Sequence, residues 1–270
     1  MNPFTVRPVT AESLPDLVAL ITDPVDAARR LNVLRERLAG GQFKPERALV
    51  LYSKRGVEGD AVVNALPQVP VFPRLRFDAP QEAVTMLARA VREQAGPEQQ
   101  LVLQDDQAPL HPAPLEAAGW VQDSQFVVYE TDLQARTYPL DPQAQTISVD
   151  HPDVRQLLDL LKDQGRPELE LSEDWTLIAL PGPDGLPAAL GAVGPGKRPD
   201  SAGINMIGVL PRFRGQELGT RLNAHLLALA SQKFIHHEGG TGADNAAMRR
   251  IFDKHGSHLL ATQMYFKQER

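Results

Sequence analysis

The chain has 270 residues, of which 42% are apolar and none is cysteine, and its formal net charge is −6. That size accommodates one or two domains with a sizeable core, and the missing thiols exclude disulfides, cysteine nucleophiles and zinc–thiolate sites. The acidic balance argues against nucleic-acid or anionic-membrane partners, and with neither an apolar run near ~20 residues nor a basic-then-apolar leader the expectation is a soluble, cytoplasmic protein.

In chain order, Val6–Thr10 reads as a strand, followed by helices at about 12–21 and 26–39. Apolar, β-branched runs at 48–53, 61–66 and 71–77 read as strands. A helix is expected at 80–95, a strand at 100–103, a helix end at Leu115–Trp120 and a strand at 125–130. Residues 132–145 are polar, hold two prolines and show no period, which reads as a linker. Beyond it Val154, Leu157, Leu158 and Leu161 share one face of a helix at 153–163. Strands follow at 175–180, 188–193 and 204–209, the first two joined by the turn Pro181-Gly-Pro-Asp-Gly185. A helix ends near Lys233, a strand covers 234–238, a helix 246–255 and a last strand 260–267. The 23 prolines mark many short connections between these periodic segments.

The segment joining the strand at 204–209 to the next helix is Val209-Leu-Pro-Arg-Phe-Arg-Gly-Gln-Glu-Leu-Gly219, and Leu218, Leu222, Leu226 and Leu229 announce that helix. A glycine-bearing loop at a helix N-terminus turns unpaired N–H groups toward one point, where the helix dipole is positive. Arg212 and Arg214 add cationic groups suited to phosphate. The reading is a phosphate-bearing ligand held at 212–219; a plain surface turn is the alternative.

About twenty residues past the start of this helix comes Thr241-Gly-Ala-Asp-Asn245-Ala-Ala-Met248, then Ile251, Phe252 and Gly256. The order Val-x-Pro-x-x-Arg-Gly-x-x-Leu-Gly, helix, strand, Thr-x-x-x-Asn-x-x-Met, Phe, Gly resembles the GCN5-related N-acetyltransferase (GNAT) superfamily over about 175–270. Leu115–Gly119 parallels Phe252–Gly256, and the strands with Tyr129 and Tyr265 correspond. The chain therefore looks like a tandem pair. The expected fold class is α/β (α+β), two GNAT-like domains each with a mixed central β-sheet flanked by helices: 1–133, a linker 134–145, and 146–270. Arg74-Leu-Arg-Phe-Asp-Ala-Pro80 has no glycine where the loop would stand, and Pro80 lacks a donor. The N-terminal half is therefore expected to be degenerate, with Arg74 and Arg76 as solvated strand-end charges and Asp78 capping the next helix.

The resemblance implies acetyl-CoA as co-substrate, no metal, and direct acyl transfer to an unidentified small amine. It places the cofactor on Ile207, Gly208, Val209, Arg212, Arg214, Gly215, Gln216, Glu217, Leu218, Gly219, Thr220 and Asn245, with the 207–209 backbone aligning the pantetheine arm. Either Asp244 or Asn245 also reads as the N-cap of the following helix. Glu217 stands where a glycine is common; its carboxylate either repels pyrophosphate or points outward. Phe252 stands where the family often carries a tyrosine that protonates the departing thiolate, and phenylalanine has no proton to give. Tyr265 is the candidate substitute, or else a core or edge aromatic. His236 and Glu238 share a strand face and are the candidate bases; adjacent His236 and His237 point to opposite faces and do not chelate one ion. Asn205 is a further candidate cleft residue, and Arg249 and Arg250 read as solvated, the alternative being that one of them reaches a CoA phosphate. Two readings follow: an active N-acetyltransferase, monomeric with its halves as a pseudo-dimer, or an inert acyl-CoA-binding protein.

Overall fold

The computed structural model describes residues 3–162 and 171–269. It divides into two compact units, residues 1–126 with 261–270, and residues 127–260. The boundaries fall inside two long strands, β6 (Trp120–Asp132) and β12 (His258–Gln268), so the terminal strand contributes to unit 1 where the sequence places it wholly in the second half.

Unit 1 carries β1 (Thr5–Pro8), β2 (Ala48–Ser53), β3 (Gly56–Val62) and a short β4 (Arg74–Leu75), antiparallel in that order. The expected strand at 61–66 starts earlier because Lys54-Arg55-Gly56 makes a tight turn, with Gly56 at φ +106°. Helix 12–21 is reduced to a 3-10 turn over Leu14–Val18. Helix α1 (Pro24–Ala39) is capped by Asp23, whose carboxylate accepts from the Val25 N–H. Helix α2 (Gln81–Gln94) lays Ala83, Val84, Leu87, Ala88 and Val91 on the core, at i, i+4, i+8 spacing. Its N-cap is Pro80, without a side-chain cap. Asp78 therefore does not cap it; two residues too early, its carboxylate pairs with Arg55 at 2.7 Å. After β5 (Leu101–Gln104) and α3 (Ala113–Glu116), the end of β12 pairs antiparallel with β5, Tyr265 opposite Val102. Trp120 is buried in this core and donates its indole N–H to the Ala88 carbonyl at 3.0 Å. Two carboxylates are also buried here. Burial alone would raise Glu58, but hydrogen bonds from Arg55 and Ser53 hold its carboxyl below the usual range. Burial pushes Asp60 up to about 7, its nearest cations being Arg74 and Arg30.

Unit 2 has the strand order β6-β11-β10-β9-β8-β7, with β7 (Gln145–Thr146), β8 (Thr176–Pro181), β9 (Pro187–Pro195), β10 (Ser201–Val209) and β11 (His236–Gly242). Strands β10 and β11 are parallel, while β7 to β10 pair antiparallel. β8 and β9 are buried along nearly their whole length because both faces are covered. Leu177, Ala179, Leu190 and Ala192 meet Val154 and Leu157 of α4 (Pro152–Lys162). Ile178, Leu180, Ala189 and Val193 meet Leu218, Leu222 and Leu226 of α5 (Leu218–Ala230). The Leu161 side chain, expected on the α4 face, lies outside the described residues. Helix α6 (Ala246–Lys254) completes the unit.

Residues 134–145, expected as a linker, are built into unit 2. Tyr138 joins the α5 core and donates its hydroxyl to the His255 carbonyl at 3.2 Å. Asp141 is held well below the usual carboxylate range by Arg221, whose Nε donates to it at 2.7 Å. Lack of period marked an irregular path here, but two anchors in twelve residues suffice to dock it.

Candidate functional site

The site begins where two parallel strands stop pairing. β10 and β11 are in register over Ser201–Gly203 and His236–Glu238. Beyond that point Ile204–Val209 and Gly239–Thr241 line a cavity of about 700 Å³ instead of bonding each other. A bulge helps them part. β10 skips a residue against β9 between Asn205 and Ile207, and Met206 takes φ +57°. Gly191 on β9 permits this: a Cβ there would stand 2.8 Å from the Met206 carbonyl oxygen and 2.9 Å from Leu226 Cδ1. The bulge puts Ile204, Met206, Ile207, Gly208 and Val209 along the cavity and leaves Asn205 off it.

The far wall is the loop into α5. Gly215 has φ +77°, a conformation glycine adopts freely, and Glu217 has φ +63° as the N-cap of α5. The N–H groups of residues 215–220 find no acceptor among the described residues; the helix's first turn cannot pair them internally. All but that of Gln216 belong to residues bordering the cavity, together with Arg214, which donates Nε–H to the Val209 carbonyl at 3.2 Å, and with Arg250. Anions are favoured at this point by the open donors, the helix dipole and the guanidinium groups. Glu217 turns its exposed carboxylate to Lys254 Nζ at 3.1 Å. Asn245 caps α6, accepting from the Met248 N–H at 3.1 Å, while its amide donates to Thr241 Oγ1 at 2.9 Å; it lines the cavity too.

Of the expected cofactor residues, Ile207, Gly208, Val209, Arg214, Gly215, Glu217, Leu218, Gly219, Thr220 and Asn245 meet in this one cavity. Arg212 and Gln216 do not line it. Arg212 stacks on Phe213 at 4.7 Å and pairs with Asp184 at 3.2 Å, and Gln216 donates to the Arg212 carbonyl at 3.4 Å.

The expected catalytic residues lie elsewhere. On β11 it is His237, Gly239, Gly240 and Thr241 that line the cavity. His236 and Glu238 point to the opposite face of the strand, as period-two alternation requires. There Glu238 pairs with Arg198 at 3.0 Å, and Arg198 also reaches Glu130 at 2.6 Å. Tyr265 belongs to unit 1; it packs edge-on against Phe126 and donates to Gln263 Oε1 at 3.1 Å. Burial pushes its phenol up. Phe252 is a wall residue, buried and stacked on Tyr129 with ring centroids 4.6 Å apart. Arg249 donates to the Tyr129 hydroxyl and the Ala243 carbonyl, whereas Arg250 borders the cavity. Met248 and Ile251 also face it.

His237 lines the cavity where the sequence analysis favours His236 and Glu238. The signal was available in Gly239 and Thr241, small residues at two-residue steps from it and leading to Asn245. Its ring is 1% exposed, and burial pulls its pKa down to about 4, so the imidazole is neutral at pH 7. Nδ1 lies 3.2 Å from Thr131 Oγ1, and Nε2 has no partner among the described residues.

Residues 155–256 match the family model for the acetyltransferase (GNAT) family. Residues 155–256 are a GNAT domain. Among solved structures, a GCN5-related N-acetyltransferase from Sphaerobacter thermophilus superposes with TM-score 0.61 at 15% identity, covering 100% of this chain and 96% of that one. A second, from Kribbella flavida, gives 0.55 at 13% identity over 78% of this chain and 87% of that one. A conserved protein of unknown function from Staphylococcus epidermidis gives 0.53 at 12% identity, covering 78% and 91%. At such identities the likeness is one of fold. No curated protein matches the chain. Among the described residues no helix is long and apolar enough to cross a membrane, and no group of three or more His, Cys, Asp or Glu is placed to hold a metal ion.

In unit 1 Arg76 and Asp78, expected as a solvated strand-end charge and a helix cap, are instead tied into ion pairs with Arg55 and Glu58. Arg55 holds buried Glu58 at 2.8 Å and Asp78 at 2.7 Å, and Arg76 approaches the same Glu58 at 3.6 Å.

Proposed function

We propose that the GNAT domain binds acetyl-CoA in the β10/β11 cavity and transfers the acetyl group to a small amine. The observation that carries this reading is the open wedge running from an anion-favouring helix N-terminus to the last paired residues of β10 and β11. The loop N–H groups with Arg214 and Arg250 would take the pyrophosphate and its neighbouring phosphate. The unpaired edge of β10 offers peptide groups to the amides of the pantetheine arm, as a neighbouring strand would. Positioning of thioester and amine together supplies much of the rate in such a transfer. Glu130 and Glu238, with Arg198 between them, leave an acidic surplus on the opposite face of β11 that suits a protonated amine. Unit 1 serves as a second, non-binding GNAT-like half, its basic groups already spent on Glu58 and Asp78.

The alternative is an acyl-CoA-binding protein without turnover. Phe252 favours it, since an aromatic ring without a hydroxyl forms the wall where the family's proton donor often stands. Calorimetric titration with CoA and acetyl-CoA, followed by a thiol-release assay over a panel of amines, separates the readings. Micromolar binding at one site per chain with turnover on an amine supports the enzyme; binding without turnover across the panel supports the binder. No binding at millimolar ligand removes both.

A further inference from the structure

Val209, at the loop, and Gly203, where β10 and β11 still pair, are six residues apart, about 20 Å of extended chain. That is the scale of an extended pantetheine arm. A ligand anchored by its phosphates at the loop thus brings its sulfur to the apex of the wedge. His237, paired in register with Ala202, sits at that apex.

A file of hydrogen bonds leads away from it. His237 Nδ1 lies 3.2 Å from Thr131 Oγ1, and Thr131 Oγ1 lies 2.7 Å from Oγ of half-buried Ser257. At the other end Nε2 is buried and has no partner among the described residues, a condition that disfavours the fold unless something bonds it. The space beside it is kept clear by Gly239. A Cβ at 239 would stand 2.9 Å from His237 Cε1, 3.1 Å from Nε2 and 3.1 Å from Phe252 Cε1. Phe252, stacked on the imidazole with centroids 6.3 Å apart, offers no proton. The other charged residues bordering the cavity are Arg214, Arg250 and Glu217, the last already paired with Lys254.

We infer that His237 Nε2–H is the group that meets the sulfur of bound CoA and protonates it as it departs, fed through Thr131 and Ser257. This rests on the CoA reading above. As the carbon–sulfur bond breaks and the carbon–nitrogen bond forms, sulfur keeps the electron pair and takes the Nε2 proton. Nδ1 takes the Thr131 hydroxyl proton, Thr131 takes that of Ser257, and Ser257 recovers one from solvent. The amine releases its own proton to solvent, so the balance closes. Relay through a neutral ring avoids the imidazolium that burial disfavours.

The test reads the ionisation of bound CoA thiol by its thiolate ultraviolet absorbance against pH, with calorimetry as the binding control. A neutral donor aimed at sulfur favours the thiolate, so the bound thiol should titrate about one unit below free CoA, tenfold more thiolate at a given pH. His237→Phe should bring it back to the free value while the Kd for CoA, set at the loop, changes less than threefold. Thr131→Val, which interrupts the file but keeps the ring, should remove part of the shift. Gly239→Ala, which screens Nε2, should remove it; these two decide the matter if His237→Phe fails to fold. Binding of CoA with an unshifted thiol, or an equal shift in the variants, overturns the assignment and leaves the cofactor site standing. Absence of CoA binding overturns both.

Discussion

Replacing Glu217 by glycine should make the protein both more stable and a better CoA binder. Glu217 holds φ +63° and ψ 0° at the start of α5. A side chain costs about 1 kcal/mol in that left-handed region, and glycine carries no such cost. Against this stands the Glu217–Lys254 pair at 3.1 Å, with side chains 70% and 57% exposed, worth about 0.5 kcal/mol. The net gain is about 0.5 kcal/mol, or about 1–2 °C in Tm for a chain of this size. For the ligand, a carboxylate one Debye length, about 8 Å, from a pyrophosphate bearing about two charges would repel it by about 1 kcal/mol in water, so its removal should tighten Kd about fivefold at low salt. The released Lys254 acts in the same direction. The gain should shrink as ionic strength rises, since the Debye length at 0.15 M is about 8 Å. Thermal melts and calorimetric titration with CoA at low and physiological salt read both effects. Glu217→Gln separates them: it removes the charge and keeps the backbone strain, so affinity should improve without the gain in Tm. A lower Tm for Glu217→Gly, or a Kd unmoved at low salt, would refute the placement of this carboxylate beside the phosphates.

Arg214→Ala should weaken CoA binding by about tenfold or more, since a charge-assisted hydrogen bond contributes about 1.5–3 kcal/mol; an unchanged Kd by titration would remove the loop as the anion site. Gly191→Ala should lower stability by about 1–3 kcal/mol in chemical denaturation, because its Cβ would press on the Met206 carbonyl and Leu226; a neutral result would mean that the bulge does not depend on that close approach. His237 and His255 are both pulled to about 4, first by burial. Between pH 6.5 and 4 the unfolded chain binds their protons and the folded one does not, so their contribution is present above 6.5 and lost as pH falls through this window. Asp60 runs the other way, because its folded-state pKa is raised to about 7. Its neutral form favours the fold at low pH, and that benefit is lost as pH rises from about 4 to 7. Asp60→Asn should therefore raise Tm at pH 8 and leave it nearly unmoved at pH 5; an equal gain at both would contradict a carboxyl that is neutral in the folded state.

Much of the chain was legible because its signals are local. Helices α1, α2, α5 and α6 sit close to where the sequence reading puts them, and Asn245 combines its cap on α6 with a place on the cavity wall. The strand–loop–helix at 204–219 was readable because an anion-favouring helix N-terminus needs glycine and unpaired donors within a few residues of one another. The docking of residues 134–145 was not, because Tyr138 and Asp141 find their partners at the end of α6 and on α5, eighty or more residues away.

The sequence by itself thus determined the anion-favouring loop, its helix and the alternation along β11. It did not label the faces of that strand: His-His-Glu-Gly-Gly-Thr is polar on both parities, and a period of two without an apolar side leaves the register open. The tertiary structure decided it. Phe252 of α6 and Thr131 of β6 pack against the odd positions, so His237 faces the cleft beside Gly239 while Glu238 is turned away to Arg198.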